Sequence, residues 1–495
     1  MTTVETEIKL ALAPEGHAAL HNHPALAKAS AQVHELHSRY LDTPEHDLRR
    51  RRMALRLRHT GRGWVQTLKA EGDSAGVLSR RHEWEVDIPG PQLDIARFPE
   101  KARAVLAEID TTRLAVVFET RFRREIRLLD HDGARIELAL DDGEVKAGQC
   151  HARIHEIELE LKNGRPEALF SLALELAAEV PLSFEPASKA QRGWQLAGVP
   201  LAVPLKAKAL PAPAVMGDAR DDWQRMLNIG LIQLSANFSG TVTGADHEYL
   251  HQLRVAVRRL LTIAPLTRDL KLPDPVWVAS LKGVMDAAAV VRDWDVFCSQ
   301  TLPRLASVLK TADALNVLRA PAVAARNTAQ EALVAHLRST DFARCLLQIG
   351  LDAVRSLGAC KLSSQAWARG VLEERRQQAR KLLKHYASLD AGQRHRLRLR
   401  IKRLRYTADA FAVLWGESAQ EYMEILGRLQ DGLGEANDQV VAERLLKSLE
   451  DHGDAFAQTR GMALAALPLL PLPEDLLECC DALRVAQPFW MRECC

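Results

Sequence analysis

Glu5, Glu7 and Lys9 stand at alternate positions near the start of the chain. In an extended strand such spacing puts all three on one face, with Val4, Thr6, Ile8 and Leu10 on the other. The pattern recurs with charges of both signs. Arg56 pairs with Arg58, Thr67 with Lys69, Arg81 with Glu83 and Glu85, and Glu156, Glu158 and Glu160 stand opposite Ile157, Leu159 and Leu161. A charged strand face ordinarily meets water. A closed antiparallel barrel can instead turn such faces inward, around a polar lumen. Carboxylates crowded there repel one another and take up protons unless cations join them. A divalent metal satisfies the glutamates, and an oligophosphate satisfies the arginines and lysines. The chemistry these residues can do together is metal-assisted work on a phosphate chain.

The elements that must position them follow from local pattern. Leu36–Leu41 reads as a strand, and Met53–Thr60 and Trp64–Ala70 as a hairpin turning at Gly61-Arg62-Gly63. Residues 116–129 and 134–140 read as further strands, and 99–106 and 166–179 as helices. Residues 11–35 also read as helical. The run Arg49-Arg50-Arg51-Arg52 reads as a solvated turn. In Phe118-x-Thr120-x-Phe122-x-Arg124, Arg121, Arg123 and Arg127 fall on the face opposite Arg124, so alternation alone leaves the inward arginine open. Trp64 and Trp84 are available for stacking but read more simply as packing residues.

The chain has 495 residues, enough for two or three domains, with 26% charged and 47% hydrophobic residues. A formal net charge of +2 means that attraction to polyanions must come from local patches. The start lacks a basic and apolar leader, and the apolar run at 463–472 is too short to span a bilayer and contains proline, so a cytoplasmic protein with no membrane association is expected. The eight cysteines show no C-x-x-C spacing and are expected to be reduced, including Cys479-Cys480 and Cys494-Cys495. His17 and His21 lie one helical turn apart without the glutamate of H-E-x-x-H, so they read as a solvated face.

Residues 201–217 are rich in Pro and Ala and read as a semi-rigid linker between an N-terminal domain at 1–200 and a helical domain at 218–490. The helical part repeats itself. His251-x-Leu-Arg254-x-x-x-Arg258-Arg259-Leu matches His395-x-Leu-Arg398-x-x-x-Lys402-Arg403-Leu, and Asp286 and Arg292-Asp293 match Asp431 and Asn437-Asp438. Two matched blocks at nearly one offset indicate a duplication of helical bundles. His247, His251, Arg254 and Arg258 form one helical stripe; His395, Arg398, Lys402 and Arg405 form another. Like charges so spaced destabilise a helix by a few tenths of a kcal/mol per pair, roughly, unless a polyanion bridges them.

These residues resemble two known families. Glu5-x-Glu7-x-Lys9, Tyr40-Leu41-Asp42-Thr43-Pro44, Arg56-x-Arg58, Thr67-x-Lys69, Asp141-Asp142-Gly143 as a turn, Glu156-x-Glu158-x-Glu160-Leu161 and Ser188-Lys189-x-x-Arg192-Gly193 resemble, in order, the motifs of the CYTH superfamily, the triphosphate tunnel metalloenzymes. The resemblance implies an α+β domain built on an eight-stranded antiparallel tunnel with flanking helices, in which triphosphates are hydrolysed or cyclised with Mg²⁺ or Mn²⁺. The histidine–arginine blocks resemble the CHAD domain, which implies an all-α domain of duplicated four-helix bundles with a basic groove that binds inorganic polyphosphate. The first copy departs from the second at Lys282-Gly283 and Ala289, where the second has Gly427-Arg428 and Gly434.

The function expected is hydrolysis of inorganic triphosphate. Arg56, Arg58, Lys69, Arg81, Arg124 and Lys189 would clamp the phosphates. Glu5, Glu7, Glu156, Glu158 and Asp141 would hold metal, Lys9 would stand near the phosphates or the attacking water, and Glu83, Glu85 and Glu160 would support. On the helical domain His247, His251, Arg254, Arg258, Arg259, His395, Arg398, Lys402 and Arg405 would bind polyphosphate, and association with polyphosphate granules is a corollary. Thiamine triphosphate hydrolysis, a class IV cyclase activity and a non-catalytic polyphosphate scaffold are the alternatives. Nucleic acid is not expected as a partner, because the basic helix at 394–405 has one aromatic, Tyr406, at its edge.

Overall fold

The structure is a computed structural model, and it describes residues 3–71, 76–206, 218–309, 312–358, 360–470 and 476–491. Most of the expected linker, from residue 207 to 217, and the Cys494-Cys495 pair lie outside the described residues.

The N-terminal half is a closed sheet. Its strands are β1 (Thr3–Leu12), β2 (Gln32–Asp42), β3 (Met53–His59), β4 (Trp64–Glu71), β5 (Leu78–Ile88), β6 (Ala115–His131), β7 (Ala134–Ala147), β8 (Cys150–Asn163) and the short β9 (Leu182–Phe184). The order is β5-β4-β3-β2-β6-β7-β8-β1, all antiparallel, and β1 pairs back to β5, which closes an eight-stranded barrel; β9 adds to β1. Closure follows from the register of β1. Residues 3–8 pair with β5, residues 7–11 with β8, so one ten-residue strand serves both neighbours.

The period-two pattern decides which side is which. Ile8, Leu10, Leu55, Leu57 and Leu68 are buried outside the sheet wall, the last three in a cluster with Phe98, Ala102 and Leu106 around α3 (Glu100–Leu106). Trp84 belongs to that cluster and Trp64 packs against it, so both are packing residues. The β3–β4 hairpin turns at Gly61 with φ +81°, a conformation that glycine adopts without a Cβ penalty.

Two expectations fail here. Residues 11–35 are not one helix: β1 runs to Leu12, α1 covers only Gly16–His21, and β2 begins at Gln32. Pro14, Gly16 and Pro24 interrupt the apolar period and stop a longer helix. Asp141-Asp142-Gly143 is not a turn but the middle of β7. Gly143 is needed because a Cβ there would sit 2.1 Å from the Arg121 carbonyl and 2.4 Å from Phe122 Cα on β6.

The rest of the described chain is helical: α4 (Glu167–Glu179), α5 (Lys189–Leu196), α6 (Ala219–Thr243), α7 (His247–Ile263), α8 (Val278–Val296), α9 (Leu302–Leu309), α10 (Ala312–Leu337), α11 (Thr340–Val354), α12 (Ser364–Leu383), α13 (Ala391–Phe411), α14 (Gln420–Ser448), α15 (Asp454–Ala466) and α16 (Leu476–Val485). The repeats fall on helix pairs that pack together, α7 with α8 and α13 with α14. Two compact units form. One takes Met1–Leu205, Leu227–Thr243 and Leu337–Ser356; the other takes Lys206–Met226, Gly244–His336 and Leu357–Cys495. Within the first, Phe238 of α6 meets Phe184 edge-on at 5.0 Å and stacks with Phe342 of α11 at 6.4 Å. Gly350 of α11 lies so close to Phe170 of α4 that a Cβ would approach its ring to 2.2 Å. Burial of these aromatic side chains draws the two segments to the barrel unit.

Candidate active site and basic groove

The inward side chains of the barrel surround a cavity of about 430 Å³. Among the described residues its lining has nine cationic side chains, Arg49, Arg52, Arg56, Arg58, Lys69, Arg81, Arg124, Lys162 and Lys189, and six carboxylates, Glu5, Glu7, Glu83, Glu85, Glu158 and Glu160. Both signs are therefore held in one space, the inward arrangement that a closed barrel can give such alternating faces.

Each strand supplies its pair through register. Lys69 on β4 lies opposite Glu83 on β5, and its ammonium donates to Glu5 at 2.7 Å while Glu83 stands at 3.3 Å. Arg56 faces Glu83 at 3.5 Å, Arg81 faces Glu7 at 3.6 Å, and the Thr67 hydroxyl donates to Glu85 at 3.0 Å. Arg124 settles the question left open on β6. Its side chain is 17% exposed and donates to both oxygens of Asp141 at 2.7 and 2.6 Å and to Glu158 at 2.5 Å. Arg121 and Arg123 are 65% and 46% exposed on the outer face.

Lys189 reaches the cavity from α5. Ser188 caps that helix, accepting from the Gln191 N–H, and Gln191 returns the bond in a capping box. The cap fixes Lys189 in the first turn, where its ammonium contacts Asp141 at 2.6 Å, Glu158 at 2.8 Å and Glu156 more closely still. Arg192, one turn on, donates to Glu156, and Gly193 lets the helix lie against the Phe118 ring, 2.1 Å from where a Cβ would be. The closing motif is thus a cap, a cation, a brace and a close approach.

Some expected site residues stand apart. Asp141 and Glu156 are fully buried behind Lys189 and do not line the cavity. Lys9 does not line it either: its ammonium donates to the Ala187 carbonyl, and burial pushes it below its usual range despite Glu156 and Glu185 nearby. Asp42 of the Tyr-Leu-Asp-Thr-Pro stretch is structural, accepting from the N–H groups of Thr43, Leu48 and Arg49 at 2.8, 2.9 and 3.0 Å. Conversely, Tyr40, Arg49, Arg52, Lys162 and Trp194 line the cavity without having been picked from alternation.

The charges are left out of balance in two places. Burial, with Glu158 and Glu5 beside it, pushes the Glu7 carboxyl up to about 7. Burial, with Arg56 beside it, pushes Arg58 down to about 10. Burial would raise the Tyr40 hydroxyl, yet Arg56 and Arg58 hold it below its usual range. A carboxyl pushed up by burial and by like-charged neighbours is stabilised by a cation, so the donor set Glu5, Glu7 and Glu158, with Glu160, fits a hard divalent metal. Oxygens of Asp141, Glu156 and Glu158 also gather within 4.8 Å of one another, but Lys189 already occupies their centre.

On the second unit the two stripes converge. Arg254 and Arg258 of α7 and Arg398 and Lys402 of α13 act on one another electrostatically, with Asp293 and Asp438 close by. Burial and the three guanidiniums push the Lys402 ammonium down to about 7, and burial and Arg258 push Arg254 down to about 10. Burial raises the Asp293 and Asp438 carboxyls. Arg258 stacks on Tyr406 at 5.3 Å and donates to its hydroxyl at 3.1 Å. His395 contacts Asn437 at 3.4 Å, while His247 and His251 are exposed. Arg259 instead pairs with Asp409, and Arg405 faces Asp431 at 3.9 Å.

Barrel and lining together define a tunnel-barrel protein with its charge inside, continued by a helical region with a cationic cluster. Residues 3–194 match the CYTH domain family and residues 225–447 the CHAD domain family, so the chain is a CYTH domain followed by a CHAD domain. It is 32% identical over 199 residues to an inorganic triphosphatase of Haemophilus influenzae, which covers 39% of this chain and 54% of that protein; the chain spans about half the length of that relative. A crystal structure of the CHAD domain from Ricinus communis is similar at a TM-score of 0.50 and 27% identity, over 58% of this chain and 99% of the other. A putative adenylyl cyclase from Hippeastrum, described as having a dominant triphosphatase activity, matches at a TM-score of 0.30 and 25% identity, over 39% of this chain and 95% of that one. No helix among the described residues is long and apolar enough to cross a membrane.

Proposed function

We propose that the tunnel hydrolyses linear inorganic triphosphate to diphosphate and phosphate with Mg²⁺ or Mn²⁺, and that the helical groove binds inorganic polyphosphate. One observation carries the reading: among the described residues, a single cavity is lined by six carboxylates, which call for a cation, and by nine cationic side chains, which call for an anion. A metal–triphosphate complex meets both needs at once. Arg56, Arg58, Lys69, Arg81, Arg124 and Lys189 hold phosphate oxygens; Tyr40 offers a hydroxyl beside Arg56 and Arg58. Glu5, Glu7 and Glu158 hold the metal, with Glu160 behind them. When bound, the metal supplies charge neutralisation at the phosphates and a lowered pKa for the attacking water. Asp141 and Glu156 keep Lys189 charged and aimed, and Lys9 ties the segment before α5 to β1. The relative named an inorganic triphosphatase supports the substrate. An organic triphosphate is less well served, because Arg49 lies over the face of Trp194 and neither Trp64 nor Trp84 reaches the cavity.

The test is phosphate release from tripolyphosphate, ATP, thiamine triphosphate and long-chain polyphosphate, each with Mg²⁺ and with Mn²⁺. Tripolyphosphate should be the fastest substrate, and Glu7→Ala and Glu158→Ala should each remove the metal-dependent rate from a folded protein. Near-normal turnover in either variant would remove the metal assignment. In the groove, Arg254→Gln with Arg398→Gln should weaken long-chain polyphosphate binding without changing tripolyphosphate turnover.

A further inference from the structure

We propose that Arg49, braced by Trp194, forms an anion subsite in the tunnel lining that takes the phosphate of a linear chain lying one unit beyond the triphosphate clamp. The proposal rests on the triphosphatase reading of the tunnel and extends it to chain length.

The four consecutive arginines do not share one fate. Arg50 pairs with Asp47 at 2.5 Å and Arg51 pairs with Glu108, both near the surface. Arg49 lines the cavity, and so does Arg52. The cause is local. The buried Asp42 carboxylate accepts from both the Leu48 and the Arg49 N–H, which fixes the short helix α2 (Asp47–Arg50) with Leu48 in the core and Arg49 beside the lumen.

Three features of Arg49 point to an anion. Its guanidinium lies 5.7 Å from the centre of the Trp194 ring, a contact that orients the cation and leaves its charge in place. Its Nε is buried without an acceptor, and so is Trp194 Nε1 in the same lining. Buried donors ordinarily find partners. Finally, the cavity residues at 49–54 and 188–194 include no carboxylate, and among the described residues Arg49 has no ion pair. Of the clamp cations, Lys69, Arg56, Arg81, Arg124 and Lys189 each have at least one, and Arg58 donates its Nε–H to the Ser38 hydroxyl at 3.0 Å. Two orphan donors and one unneutralised positive charge match the oxygens of a phosphate group. An uncharged ring in that place would leave the donors unpaired, and a cationic one would be repelled.

The experiment compares linear tripolyphosphate, linear tetrapolyphosphate and ATP on the full-length protein, by initial rate with metal and by calorimetric titration without it. Arg49→Gln should lower kcat/KM for tetrapolyphosphate about tenfold, mostly through KM, the scale of one charge-assisted hydrogen bond. Tripolyphosphate should stay within about twofold, a rate that also reports an intact tunnel, and Arg49→Lys should recover part of the loss. Equal loss on tripolyphosphate and tetrapolyphosphate, or no loss on either, overturns the subsite. So does a larger loss on ATP, which would place an organic group there. If the wild-type protein turns over no substrate, the triphosphatase reading falls; the titrations then decide the subsite alone, by whether Arg49→Gln weakens tetrapolyphosphate selectively.

Discussion

Lys189 shows what one side chain does at the residue scale. Its ammonium is the shared partner of Asp141, Glu156 and Glu158, two of them fully buried, and those carboxylates hold it well above its usual range despite the cost of burial. Removing it strands buried charge. Lys189→Met should therefore destabilise the barrel unit by about 3–5 kcal/mol, read as a lower melting temperature, and should abolish turnover. If the variant melts with the wild type, the acids are not held by this lysine. The residues legible from the sequence are those on alternating strands: Glu5 with Glu7, Arg56 with Arg58, and Lys69 and Glu158 on their own strands fall on charged faces by spacing, and the family resemblance turns those faces inward. Arg49 and Trp194 sit in a four-residue helix and in a helix following a cap, where no period marks the inward side. Lys9 keeps the period and still misses the cavity, because the Ala187 carbonyl lies within its reach.

Among the elements, α5 positions chemistry through its ends and its smallest residue. Ser188→Ala removes one half of the capping box and should cost about 1 kcal/mol. Gly193→Ala should cost about 1–3 kcal/mol, because the new methyl must displace Phe118 or the helix. In that variant Lys189 moves with the helix, so kcat should fall further than the stability loss explains; thermal melts and tripolyphosphate rates on both variants separate the two effects. A Gly193→Ala enzyme with unchanged rate would show that α5 does not set the site. The strands were legible where period two was clean. Residues 11–35 were not, since three proline and glycine breaks cut an apolar stretch into a six-residue helix and the start of β2. The Asp-Asp-Gly triplet misleads as a turn because its glycine serves a close approach between strands.

For the whole molecule, the cationic cluster of the helical unit should carry the pH dependence of polyphosphate binding. Lys402 stands at about 7, against 10.5 for an ordinary lysine. The cost of that shift to the fold is absent above pH 10.5, grows as the pH falls toward 7 and is complete below it, where the fold must accept the charge. A bound polyanion reverses the sign by favouring the ammonium. Long-chain polyphosphate should bind most tightly below pH 7 and weaken above it, by up to about tenfold per unit, and Lys402→Met should flatten the profile. Calorimetry from pH 6 to 9 checks this; a flat wild-type profile would remove Lys402 from the contact. The duplication of this half was visible in its repeated blocks, but nothing in their spacing announced that Arg259 pairs with Asp409 instead of joining the cluster.

The barrel unit also has a history in time. Its last segment, Leu337–Ser356, leaves the ribosome long after β8 and α5 have been made, and Phe184 and Phe170 wait uncovered until α6 and α11 arrive. A chain cut after residue 200 should consequently be poorly soluble or melt at least about 10 °C below the full chain, as thermal scanning of both would reveal. The barrel unit is discontinuous along the chain: its segments 227–243 and 337–356 lie inside the stretch that matches the CHAD family, so moving the first two hundred codons alone would leave behind the helices that cover Phe170 and Phe184.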